Sequence, residues 1–184
     1  MNLFIDILIL GLLGVIAFQD FKYRAVSWVV FPVLLMLVVV GAFQQNSVGY
    51  IVEQLLFNFL FVVSQLLMLT IYFSIKNHKA TNIFNTYLGL GDVLFFVVLA
   101  ASFSFLNFVF VYIFSLLSVA VVYLFYRLLK KNATSQIPLA GGMAVSLVFL
   151  MLLKNSTEGL NFYDDAYLME KLVRYEPFNF SNSV

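Results

Sequence analysis

Six long apolar runs, separated by short polar stretches, organise this chain. They fall at Leu3–Phe18, Val26–Phe43, Ile51–Ile75, Leu88–Ala101, Leu106–Tyr126 and Ile137–Leu153. A helix needs about 20 apolar residues to cross the hydrocarbon core of a bilayer, and these runs approach or meet that length. An open strand cannot satisfy its backbone in lipid, so each run is predicted to be a helix. The expected fold is all-α, a polytopic membrane bundle of six transmembrane helices over residues 1–154. Pro138 suits the first turn of the last helix. Residues 155–184 form a polar tail, with Glu158, Asp164, Asp165, Glu170 and Glu176 against Lys171 and Arg174. Such a terminus is expected to be solvated, or to fold over Tyr163–Tyr175 as a short interfacial helix.

The polar stretches also set an orientation. Residues 20–25 carry Lys22 and Arg24, residues 76–87 carry Lys76 and Lys79, and residues 127–136 carry Arg127, Lys130 and Lys131. Between them, residues 44–50 and 102–105 hold no Lys or Arg. Short loops rich in Lys and Arg stay cytoplasmic, so six crossings place both termini outside. No basic residue precedes the first run and Asp20 follows it, so it is read as a retained helix rather than a cleaved signal.

Composition narrows the chemistry. The chain of 184 residues is 63% hydrophobic and 10% charged, whereas a soluble domain is about a quarter charged. A net charge of +1 without a basic run gives no reason to expect a nucleic-acid partner. The absence of cysteine excludes disulfides, a tetracysteine zinc site and thiol catalysis. No metal-ligand spacing, phosphate loop or Ser-His-Asp set is present, and no cofactor is expected.

Two carboxylates stand out. Asp20 lies in Gln19-Asp20-Phe21-Lys22-Tyr23-Arg24, just after the first helix, and Asp92 in Gly89-Leu90-Gly91-Asp92, opening the fourth. A carboxylate beside hydrocarbon is costly, which makes it a functional-site candidate. Under the predicted topology both sit at the cytoplasmic face. Two carboxylates in one site titrate as a unit holding one proton between them. One can then take a proton from water while the other donates to a scissile carbonyl. Gly89 and Gly91 leave bare backbone beside Asp92, where an extended peptide could pair with main-chain groups. The structural alternatives are a helix cap for Asp92, an interfacial ion pair for Asp20 with Lys22 and Arg24, and close helix packing for the glycines. Glu53 is read as interfacial, His78 as solvated and Gly141-Gly142 as a packing pair. The triplets at Asn132, Asn155 and Asn179 are too short to carry an argument.

With these motifs the chain resembles the type IV prepilin peptidases and archaeal preflagellin peptidases, membrane aspartyl proteases of the Gly-x-Gly-Asp group. Gln19 to Val26, Gly89 to Asp92 and, more weakly, Ile137-Pro138-Leu139-Ala140-Gly141 carry the resemblance, which covers about residues 1–153. It implies that Asp20 and Asp92 are the catalytic pair, with Gly89, Gly91, Lys22 and Arg24 beside the substrate. It implies a prokaryotic cytoplasmic membrane and a prepilin-like substrate with a basic leader and an apolar N-terminal helix, cleaved after a glycine. The chain looks like the short, peptidase-only form, without the zinc-cysteine insertion and methylation of the larger enzymes. It departs from the family where Leu94 stands in place of a common lysine. Presenilin-like proteases share Gly-Leu-Gly-Asp but pair it with Tyr-Asp, whereas Gln19 precedes Asp20. Two other readings use the same residues. A catalytically silent relative could act as a membrane assembly factor. A small transporter or proton channel is the other, although the second and fifth helices carry few polar side chains.

Overall fold

The computed structural model describes residues 3–80, 82–86, 88–129, 137–156, 162–165 and 169. The chain forms the expected all-α membrane bundle of six apolar helices, with one extra helical turn. In order these are α1 (Leu3–Tyr23), α2 (Val30–Phe43), α3 (Val48–Lys76), the single turn α4 (Ile83–Thr86), α5 (Leu90–Ser102), α6 (Phe105–Leu129) and α7 (Leu139–Ser156). By length and composition α1, α3 and α6 can each cross a membrane, while α2, α5 and α7 are apolar but shorter.

The helix ends differ from the apolar runs for local reasons. α1 continues past Phe18 to Tyr23, so Asp20 lies inside its last turns rather than after it. Arg24 ends it, with a left-handed φ of 55°. α2 begins at Val30 rather than Val26, and the linker is pinned where the Ser27 N–H donates to Gln19 Oε1 at 2.8 Å. Pro32 therefore falls in the first turn of α2, where its missing N–H costs no helical bond. The turn α4 lies inside the stretch 76–87 that was expected to be loop.

Apolar burial drives helix association only weakly in lipid, so packing and interhelical hydrogen bonds hold the bundle. α1 buries one stripe, Ile5, Ile9, Leu13, Ile16 and Asp20, at helical spacing. That stripe faces α7, its main neighbour. On α7, Met143 and Ala144 are fully buried. Tyr112 of α6 ties three helices together, with ring centroids 5.3 Å from Phe96 of α5 and 5.8 Å from Phe61 of α3.

Polar side chains close the helix ends. Asn58 of α3 is fully buried, and its amide donates at 2.8 Å to the Ala100 and Phe103 carbonyls at the end of α5. Gln54 Oε1 accepts the Phe105 N–H that opens α6, at 2.7 Å. Asp165 Oδ1 accepts from Ser104 Oγ at 2.6 Å and from the Asn107 N–H at 3.2 Å. Apart from the Ser104 hydroxyl bond, each satisfies a backbone group that a helix end leaves orphaned.

For the segment 162–165, the last of these corrects the expectation of a solvated tail. Phe162 and Tyr163 are buried, with Phe162 packed 5.2 Å from the Phe103 ring. Tyr163 donates to the Val38 carbonyl at 3.4 Å. Burial, with the Asp6 charge nearby, pushes its phenol above the usual range, so it stays a donor. Tyr163 itself sits in a turn, and most of the interfacial helix expected over Tyr163–Tyr175 lies outside the described residues. So do Lys130, Lys131 and the triplets' first residues Asn132 and Asn179.

Asn58 gives a test of this account. Asn58→Leu strands two carbonyls at the α5 terminus, at a cost of about 1–2 kcal/mol. Reversible unfolding in mixed micelles should show a loss of that size, and unchanged stability would contradict the assignment.

Candidate active site

Asp20 and Asp92 meet at one end of the bundle, and what brings them together is the start of α7. Pro138 precedes that helix, and its carbonyl accepts the first helical bond from the Gly142 N–H at 3.0 Å. The N–H groups that follow have no intrahelical partner. Two of them are satisfied from other helices. The Ala140 N–H donates to Asp92 Oδ1 at 2.9 Å, and the Gly141 N–H to Asp20 Oδ2 at 2.6 Å. Three covalent bonds, about 4.3 Å end to end at most, separate consecutive backbone nitrogens. The two bound carboxyl oxygens therefore lie within about 10 Å of one another.

Each aspartate is placed by its own helix. Asp20 extends the buried stripe of α1 and is only 7% exposed. Its Oδ1 makes no hydrogen bond among the described residues. Asp92 sits in the first turn of α5, and its Oδ2 accepts the Gly89 N–H at 3.0 Å. The cap reading of Asp92 is thus realised, while Oδ1 reaches on to α7. Positive partial charge at the α7 terminus complements carboxylate charge.

The glycines divide by role. A Cβ on Gly141 would lie 2.9 Å from both Cβ and Oδ2 of Asp20, so only a bare backbone lets the carboxylate reach the amide. A Cβ on Gly142 would instead lie 2.5 Å from Val119 of α6, and one turn on, Ser118 and Ser146 share a hydrogen bond of 2.8 Å. Gly142 is a packing residue, as expected, and Gly141 is a site residue that the packing reading missed. The weak Ile137–Gly141 motif was the signal for it. Gly89 is exposed, and a Cβ there would come within 3.3 Å of Asp92 Oδ2. A Cβ on Gly91 would meet Val26 and Phe31 only at ordinary distance, so packing does not require a glycine there.

The basic residues share this end, and the Arg24 charge acts on Asp20. Lys22 Nζ stands 5.1 Å above the rings of Phe18 and Tyr23. Arg24 lines a cavity of about 330 Å³ with Phe21, Val119, Tyr123, Pro138 and Gly142. That cavity flanks the site on the α6 side and does not include either aspartate. Leu94 is part-exposed on α5. Glu53 and His78 are exposed. Among the described residues no three His, Cys, Asp or Glu side chains group as metal ligands.

Gly141→Ala separates the site from general packing. The added methyl must displace the Asp20 carboxylate, and overpacking of this kind costs about 1–3 kcal/mol. Backbone amide exchange should show faster exchange at Gly141, with Ala140 still protected by Asp92. Unchanged protection at both positions would refute the assigned bonds. Comparison with known protein families, curated proteins and solved structures returns no match for the chain.

Proposed function

We propose that this membrane protein is an aspartic endopeptidase that removes leader peptides from prepilin-like substrates at the cytoplasmic face. The observation that carries the reading is the convergence of Asp20 and Asp92, from separate helices, on consecutive amides of α7. In this reading the two carboxyl groups share one proton. Asp20, with one oxygen free of donors among the described residues, holds the attacking water. The water loses its proton to the ionised carboxylate as its oxygen bonds to the scissile carbonyl carbon. The other carboxyl protonates the carbonyl oxygen. When the tetrahedral intermediate collapses, the proton passes to the leaving amine and the C–N bond breaks. The N-terminus of α7 holds both groups in place before substrate arrives, and such preorganisation is what electrostatic catalysis depends on. Gly89, exposed beside Asp92, is assigned to backbone pairing with the substrate.

One observation favours a second reading. Both carboxylates accept backbone N–H groups as ordinary caps do. A silent assembly factor would need nothing more from them.

Asp20→Asn and Asp92→Asn distinguish the two, since an amide oxygen still accepts an N–H bond but cannot exchange the proton. Each should abolish cleavage of a co-expressed prepilin-like substrate while the protein stays inserted. The double variant should lose no more than either single one. Glu53→Gln should cleave normally. Cleavage retained by either Asp→Asn variant would end the two-aspartate mechanism.

We place the Lys- and Arg-bearing end, with the aspartates, in the cytoplasm of a prokaryote. Reporter fusions after Ser47 and after Asn155 should both report the outside, and a cytoplasmic signal from either would overturn that orientation.

A further inference from the structure

α6 and α7 approach closely where Ser118 and Ser146 share their hydrogen bond of 2.8 Å and where a Cβ on Gly142 would lie 2.5 Å from Val119. The pairing is antiparallel. Toward the aspartate end, α7 stops at Leu139, three residues beyond Gly142, whereas α6 runs ten residues past Val119 to Leu129. About 10 Å of α6 therefore outruns its neighbour. The cavity of about 330 Å³ lies along this junction. Ser118 and Ser146 lie at its deep end, Val122, Tyr123 and Val145 wall it, and Phe21 and Arg24 close it from the end of α1. Val122 is 67% exposed and Val145 49%. Both lie within the apolar helices, so the cleft opens sideways toward lipid.

Its polarity is one-sided. At the deep end the Ser118 and Ser146 hydroxyls are spent on each other and on the Ser115 and Gly142 carbonyls. The Gly142 N–H is spent on the Pro138 carbonyl. A peptide pushed in there would bring backbone groups that find no partner, which is costly in an apolar setting. An acyl chain brings none. At the mouth stands Arg24. Its N–H is tied to the Asp20 carbonyl at 3.0 Å and its φ is 55°. Glycine takes that conformation at a helix end more easily; arginine there sets a guanidinium at the rim. Arg127 follows Tyr123 by one turn on α6 and adds a second cation at the same end. None of the described residues lining the cavity is acidic.

An apolar cleft with a cationic rim at a membrane face fits an amphiphile with an anionic head. A guanidinium matches phosphate with two parallel hydrogen bonds, and basic pockets between membrane helices hold anionic headgroups. We propose that the cleft between α6 and α7 is a binding site for an anionic phospholipid, with an acyl chain along Val122 and Val145 and the phosphate on Arg24. The site needs neither the peptidase reading nor a choice of leaflet.

The test is quenching of a single tryptophan by lipids brominated on the acyl chain, with the full chain in phosphatidylcholine vesicles. Trp28, the only tryptophan, is replaced by Phe. The reporter is Val122→Trp in the cleft, or Leu124→Trp on the opposite face of α6, where Leu124 is 57% exposed. Brominated phosphatidylglycerol should quench Val122→Trp at about fivefold lower mole fraction than brominated phosphatidylcholine, the attraction of one arginine for an anionic lipid. Val145→Trp, across the cleft, should repeat that preference, and Leu124→Trp should show none. Arg24→Gln should abolish it, while Lys76→Gln, which removes a cation at the same end but outside the cleft, should keep it. Inorganic phosphate at matched ionic strength should leave it intact. Equal quenching by the two lipids at Val122 and Val145 would overturn the proposal, as would the same preference at Leu124 or its survival in Arg24→Gln. Loss of the preference to inorganic phosphate would reassign the site to a free anion. Quenching at Leu124 but by neither lipid in the cleft would show that something other than lipid fills it.

Discussion

Everything at the candidate site depends on two backbone N–H groups. A helix that begins inside an apolar bundle exposes amides that neither its own carbonyls nor lipid can satisfy. At the start of α7 those amides belong to Ala140 and Gly141, and the acceptors are Asp92 of α5 and Asp20 of α1. The need is structural and the solution is chemical. Closing α7 with two carboxylates from different helices fixes α1, α5 and α7 together. It also holds two titratable groups on consecutive amides of one helix end. Stability and the proposed catalysis therefore use the same bonds.

The opposite end of the bundle meets the same need with less reactive groups. There Gln54 and Asp165 satisfy the start of α6, and Asn58 satisfies the end of α5. The segment 162–165 belongs to that closure. Asp165 binds as a cap and the rings of Phe162 and Tyr163 are buried. The two ends thus differ in what closes them. One is held by amides, a hydroxyl and a carboxylate spent on capping, the other by a pair of aspartates with, among the described residues, one oxygen to spare.

Much of the fold was legible because lipid imposes a simple rule. Uninterrupted apolar runs become helices, and six runs gave six helices. The boundaries were less legible where polar residues continue a helix. Asp20, Lys22 and Tyr23 read as loop by hydropathy, yet they extend α1, because Asp20 falls on the stripe of Ile5, Ile9, Leu13 and Ile16. That spacing was present in the sequence and marks Asp20 as inward-facing. The role of Gly141 was only weakly legible: the Ile137–Gly141 motif pointed to it, but a Gly-Gly pair in an apolar run reads equally as packing. Only the approach of Asp20 to one glycine and of Val119 to the next separates them. The segment 162–165 misled for a related reason: the net acidity of its surroundings suggested solvent, while Phe162, Tyr163 and Asp165 tie it to the bundle.

The central claim is that Asp20 and Asp92 act as one proton-sharing unit on the α7 terminus. Carboxyl-carbon NMR of the chain labelled at aspartate, titrated in micelles, tests it most directly. The account predicts coupled, two-step curves for both residues in the wild type. It also predicts that Asp92→Asn turns the Asp20 curve into a single simple step. Two independent single-step curves in the wild type, unaffected by replacing the other residue, would contradict it.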